Sequence, residues 1–144
     1  MQAQDKKDTL ERLERAGLQY SVINLSGAYH EIIVHEATGN THRMMAEMVA
    51  EVDADERISQ NTKMAVISLY IPTIACSKGD MPQTYEEFFD MKNSDIDTWV
   101  TTARKRNPQL FGLLDEQEKV LNKFLSEDAK EEKKRKRSKS RKSS

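Results

Sequence analysis

The chain holds one cysteine, three prolines and five glycines in 144 residues. A lone thiol, Cys76, forms no internal disulfide and supplies no thiolate metal cluster, and a reducing intracellular compartment suits it. Aromatic residues make up only 6% of the sequence, and tryptophan occurs once, at Trp99. No long hydrophobic run exists. The longest, Met64 to Cys76, is thirteen residues interrupted by Ser68, Pro72 and Thr73, too short to span a bilayer. The opening MQAQDKKDTLERLER mixes acids with bases around no apolar stretch and does not read as a secretory signal. HExxH, CxxC, GxSxG and a glycine-rich phosphate loop are also missing. His30 and His35 fall on opposite faces of an expected strand, and His42 lies beyond a turn, so the three histidines show no metal-ligand spacing. Adjacent Glu86 and Glu87, and Asp95 with Asp97, do not share a helical face and sit where carboxylates favour helix N-termini. The expectation is a non-enzymatic protein with no metal and no cofactor.

What is present begins with charge. Lys133, Lys134, Arg135, Lys136, Arg137, Lys139, Arg141 and Lys142 place eight positive charges in the last twelve residues. The rest carries 15 basic against 24 acidic side chains, a formal −9 behind a whole-chain sum of −1. An acidic body with a basic, serine-punctuated tail is two physical objects. The body repels phosphates, so association with nucleic acid is expected only through the tail, where it would be sequence-indifferent and salt-sensitive. The same tail also suits contact with an acidic protein surface, or a solubilising role.

Hydrophobic residues at 37% against charged ones at 33% allow one core. Residues 1–17 form either a short helix or a disordered leader, with Leu10 and Leu13 on a narrow face and Gly17 as its stop. Leu18, Tyr20, Val22 and Ile23, then Ile32, Ile33 and Val34 after a turn near Ser26-Gly27, predict an antiparallel hairpin. A hairpin alone is marginal and must pack on helices or gain a strand from another chain. Past Gly39 the period lengthens: Met44, Met45, Met48, Val49 and Val52 predict a helix of about four turns capped by Asn40 or Thr41. Its methionines serve as core filling or as a compliant partner groove.

A mostly apolar helix extends from Ser59 or Asn61 through Ile74, bent or shortened by Pro72. Ser77 to Asp80 read as a turn, and Cys76 as a packed small residue. Thr84 with Glu87, and Ser94 with Asp97, mark two further helices that meet at Phe88, Phe89 and Trp99, with Phe111 nearby. A last helix starts near Asp115, its apolar side either covering the domain or offered to another chain. The resulting class is α+β: an N-terminal β-hairpin packed on a mainly helical body over residues 18–125, with a disordered basic tail over 126–144.

Leu69 to Gly112, with Tyr70, Pro72 and Cys76, the EEFF segment Glu86 to Phe89, and a Trp99-bearing helix ending at Asn107-Pro108, resembles the helical part of tail assembly chaperones of long-tailed bacteriophages. Glu31 to Met45 is similar to the strand-turn-helix leading into it. The resemblance implies a non-enzymatic protein of the host cell cytoplasm. Such a protein binds the tape measure protein, keeps its apolar helices soluble and assists tail tube protein assembly. It also implies a longer form made by ribosomal frameshifting, for which Lys133-Lys134 is a suggestive place. Candidate partner-binding residues, as surface or as its support, are Met44, Met48, Tyr70, Phe88, Phe89 and Trp99. A homo-oligomer is compatible with this reading, and a membrane role is not expected.

Overall fold

A computed structural model describes residues 2–27, 29–120, 122 and 123. The described elements run α1 (Ala3–Arg15), β1 (Tyr20–Asn24), β2 (Glu31–His35), α2 (Gly39–Ala54), α3 (Gln60–Ala65), a π-helical segment (Val66–Tyr70), α4 (Ile71–Ala75), β3 (Ser77–Gly79), α5 (Tyr85–Phe89), α6 (Asn93–Arg106) and a 3-10 turn (Pro108–Phe111). Residues 112–120 are again helical, beginning a second compact unit at Gly112. The class is α+β, with an N-terminal hairpin followed by a mainly helical body.

α1 is a formed helix, and its end is set by Gly17. With φ +72°, Gly17 takes the left-handed conformation. Leu18 N–H then donates to Leu13 C=O at 2.9 Å and Gly17 N–H to Glu14 C=O at 3.0 Å, the paired bonds that satisfy the last carbonyls of a helix. The turn brings Leu18 back toward buried Leu13 and leads directly into β1.

The strands form one antiparallel sheet in the order β1-β2-β3, with Val22 opposite Ile33 and Ile33 opposite Lys78. β2 is central, which explains why Ile32, Ile33 and Val34 are all fully buried: both faces of this strand are covered. Ile32 and Val34 share a face with Ser77, whose hydroxyl accepts a hydrogen bond from the Trp99 indole N–H at 2.9 Å, so α6 lies on that side. On the opposite face, Glu31 pairs with Lys6 at 2.7 Å, and Tyr20 donates to Glu14 at 2.9 Å, so α1 lies there. The hairpin therefore sits between α1 and the helical body.

β3 corrects the expectation of a turn at Ser77 to Asp80. His35 N–H donates to Cys76 C=O at 2.9 Å, which aligns the following residues beside β2. Gly79, at φ +125°, permits this approach, because a Cβ there would lie 2.8 Å from the Glu31 carbonyl oxygen.

Caps set the helix starts. Thr38, not Asn40 or Thr41, caps α2: its hydroxyl accepts from Thr41 N–H while the Thr41 hydroxyl accepts from Thr38 N–H. Ser59 caps α3 and Thr84 caps α5. α6 starts without a side-chain cap, contrary to the pattern at Ser94 and Asp97, and the neighbouring Asp95 is engaged elsewhere. Pro72 does not end the apolar helix. The π-helical segment immediately before it absorbs the missing donor through wider bonds, such as Ile71 N–H to Val66 C=O.

Candidate docking surfaces

Among the described residues three features bear on partner binding. The first is α2. Of its sixteen residues only Thr41 is buried. Met45, Met48, Val49 and Val52 are half-buried and Met44 is 44% exposed. The methionine stripe thus covers the body incompletely. Met64 on α3, 51% exposed, is a further thioether at the surface. Unbranched thioether chains fit irregular apolar surfaces with little strain.

The second is an aromatic cluster centred on Phe88, whose ring lies 5.3 Å from Tyr70, 5.2 Å from Phe89 and 5.5 Å from Trp99. Phe88 and Trp99 are fully buried and Tyr70 nearly so. Of the two places expected for these residues, surface or its support, burial puts these three beneath the surface. The Trp99 indole already bonds Ser77, and no ring face of the three is left for a partner. Phe89 alone reaches the surface, at 38% exposure, held edge-on by Phe88.

The third is a trough of about 600 Å³ between β1 and α6, lined by Gln19, Ser21 and Ile23 on the sheet and Thr101, Lys105 and Arg106 on the helix. Arg106 closes one end, donating to Gln19 Oε1 at 2.9 Å and Ser21 Oγ at 2.6 Å.

Two polar ties fix these surfaces, and neither is visible in the sequence as a motif. Asp95 accepts from Ser26 N–H at 3.0 Å, Ser26 O–H at 2.9 Å and Gly27 N–H at 3.0 Å, holding the β1–β2 loop on the first turn of α6. The backbone donor of Ser26, above all, keeps the carboxyl below its ordinary pKa. Buried Asn107 accepts from Ala37 N–H at 2.8 Å and donates to His35 C=O at 2.9 Å, joining the end of α6 to the end of β2. The sequence marks Asn107 only as part of a helix stop. An amide directly before a proline at a helix end does not reveal its distant partners.

A smaller cavity of about 330 Å³ beside Gly27 is rimmed by Glu87, Asp90 and Asp95. Two of these carboxylates already accept hydrogen bonds, Asp95 from the loop and Glu87 from Gln83 N–H. Among the described residues no group of three or more His, Cys, Asp and Glu side chains is placed to hold a metal. His30 and His42 are exposed. His35 is buried, its Nδ1–H donating to Glu36 C=O at 2.7 Å, and burial lowers its pKa. Cys76 is fully buried, and loss of hydration pushes its thiol up to about 11, away from nucleophilic use. No described helix is long and apolar enough to cross a membrane. The basic residues from Lys133 to Lys142 lie outside the described residues. No protein-family profile, curated protein or solved structure matches the chain.

Proposed function

We propose that this protein is a non-enzymatic assembly chaperone whose client is a long apolar helix, of the kind presented by the tape measure protein of a long-tailed bacteriophage. Tail tube assembly around that client is the process it serves in this reading. The observation that carries it is the incompletely covered methionine stripe on α2. A sixteen-residue helix with one buried residue, an exposed Met44 and a half-buried Met48 presents compliant apolar surface along its length. An amphipathic client helix can bury its own stripe there. Phe89 offers a separate anchor, stiffened from below by Phe88. Tyr70, Phe88 and Trp99 act by holding this framework.

The test is co-expression with a tape measure protein, followed by capture at low salt and at about 0.5 M salt, where exposed charge pairs are screened beyond roughly 4 Å and apolar burial is not. Complex at both salts is the expected result, reduced by Met44→Glu and Met48→Glu in proteins of unchanged circular dichroism. An equally soluble client without this protein, and no complex at either salt, defeats the proposal.

A further inference from the structure

Among the described residues β1 pairs on one side only, with β2, and forms an edge of the sheet. Glu36 N–H donates to Gln19 C=O and Leu25 N–H to His30 C=O, both at 2.9 Å. Hydrogen-bonded pairs in an antiparallel ladder recur at every second residue, so Gln19, Ser21, Ile23 and Leu25 direct their backbone groups at β2. Tyr20, Val22 and Asn24 direct theirs away from it, along the edge of the sheet.

The two edges are treated differently. β3 is three residues long and carries Lys78 and Gly79, a short charged edge that discourages pairing. β1 is five residues, Tyr-Ser-Val-Ile-Asn, with no charge and no proline, and its central Val22 is 36% exposed. Edges of this kind are normally blocked or used.

We propose that β1 pairs antiparallel with β1 of a second copy of this chain about a two-fold axis through Val22. Val22 meets its own symmetry mate, and Tyr20 of each copy meets Asn24 of the other, so that all three outward pairs are of the hydrogen-bonded type. Ser21 of one copy lies beside Ile23 of the other on the trough face. The sheets join into one of six strands.

The charge pattern of α6 fits the same axis. α6 runs antiparallel to β1, because Arg106 bonds Gln19 and Ser21 while Asp95 bonds Ser26 and Gly27. Asp97, Thr101 and Lys105 recur at four-residue spacing and all three are exposed, and Thr101 and Lys105 line the trough beside β1. The stripe is therefore acidic at one end, neutral at its centre and basic at the other. Paired strands lie about 4.8 Å apart, which brings the two α6 helices to a separation on the order of 10 Å, that of packed helices. Their antiparallel order sets Asp97 of each copy against Lys105 of the other, and the two troughs close on one another. A two-fold interface requires such self-complementarity.

Sedimentation equilibrium of the full chain, from low micromolar to submillimolar concentration, tests the assignment. The expected result is a concentration-dependent species of twice the 16.6 kDa chain mass. Val22→Lys, on an exposed position of the edge, should abolish it while leaving circular dichroism and melting unchanged. Asp97→Lys should weaken association by about tenfold through like-charge contacts, and the exchange Asp97→Lys with Lys105→Asp should restore it. Amide hydrogen exchange adds a readout specific to this register. Val22 N–H should gain protection of about tenfold or more at high concentration, whereas Ser21 and Ile23, already bonded to β2, should not change. A chain that stays monomeric throughout, a dimer indifferent to Val22→Lys, or charge-exchanged protein that fails to recover would each overturn the proposal. If Val22→Lys does not fold, the charge exchange and the amide protection pattern decide it alone.

Discussion

At the scale of single residues, polar ties matter as much as apolar ones. Asn107 is almost wholly buried and satisfies one donor and one acceptor of the backbone. Asn107→Ala removes both bonds and leaves the Ala37 N–H and His35 C=O without their partner, at about 1–3 kcal/mol for each group left unsatisfied. Urea denaturation should show a loss of that size. Trp99→Ala leaves a cavity beside Phe88 and removes the donor to the Ser77 hydroxyl, which keeps its own bond to Thr73 C=O; about 3–5 kcal/mol is expected, a large part of the roughly 5–15 kcal/mol available to such a domain. Trp99→Phe keeps most of the volume and should lose less.

His35 and Asp95 are each expected to add to the acid sensitivity of the fold, beside Asp55, whose pKa Arg57 also lowers. Burial lowers the His35 pKa from its ordinary 6.5, so the unfolded chain binds this proton first and stability falls as pH drops below about 6.5. Asp95, held below its ordinary 3.8 by Ser26 and Gly27, contributes stability that is present above about pH 4 and is lost as pH falls through its folded pKa. Thermal melts across pH should therefore show two declines. His35→Gln should reduce the first decline and leave the second, and Asp95→Asn should reduce the second, to which Asp55 beside Arg57 also contributes, and leave the first. A pH profile unchanged by either substitution would count against the assignment of these groups.

Elements differ in how plainly the sequence announces them. The hairpin is legible because β-branched residues cluster on either side of a glycine turn, and α2 because methionine and valine recur at helical spacing. β3 is not. Three residues carry no periodicity, and Ser77–Gly79 becomes a strand only because the preceding helix delivers Cys76 beside His35. The length of α2 is readable, but not its exposure, since a stripe of apolar residues looks the same whether a neighbour covers it or not. Burial of Trp99 has the same ambiguity in reverse. Gly79 tests the tertiary origin of β3. Gly79→Ala imposes an unfavourable φ and a Cβ clash with the Glu31 carbonyl, and a cost of about 1–3 kcal/mol is expected from backbone strain alone. Chemical denaturation would measure it. A neutral result would mean that the strand relaxes away from β2 at no cost, and that its pairing is incidental to stability.

The whole molecule divides at Gly112 into two compact units. Every apolar side chain found buried among the described residues, from Leu13 to Phe111, belongs to the first unit. Within the second, Leu113 is 49% exposed and Val120 is 70% exposed. A core that closes on itself before residue 112 should fold without the second unit, because the buried area that opposes chain entropy is retained. A chain ending at Gly112 is therefore expected to unfold in one cooperative transition, with a melting temperature within about 4 °C of the full chain, the shift that corresponds to roughly 1 kcal/mol for a domain of this size. It also keeps α2, β1 and α6, so client capture and self-association should both survive the truncation if their surfaces are those described. Loss of the cooperative transition would show that the second unit contributes to the core. Retained folding with loss of client capture alone would move the client surface from α2 to residues beyond Gly112.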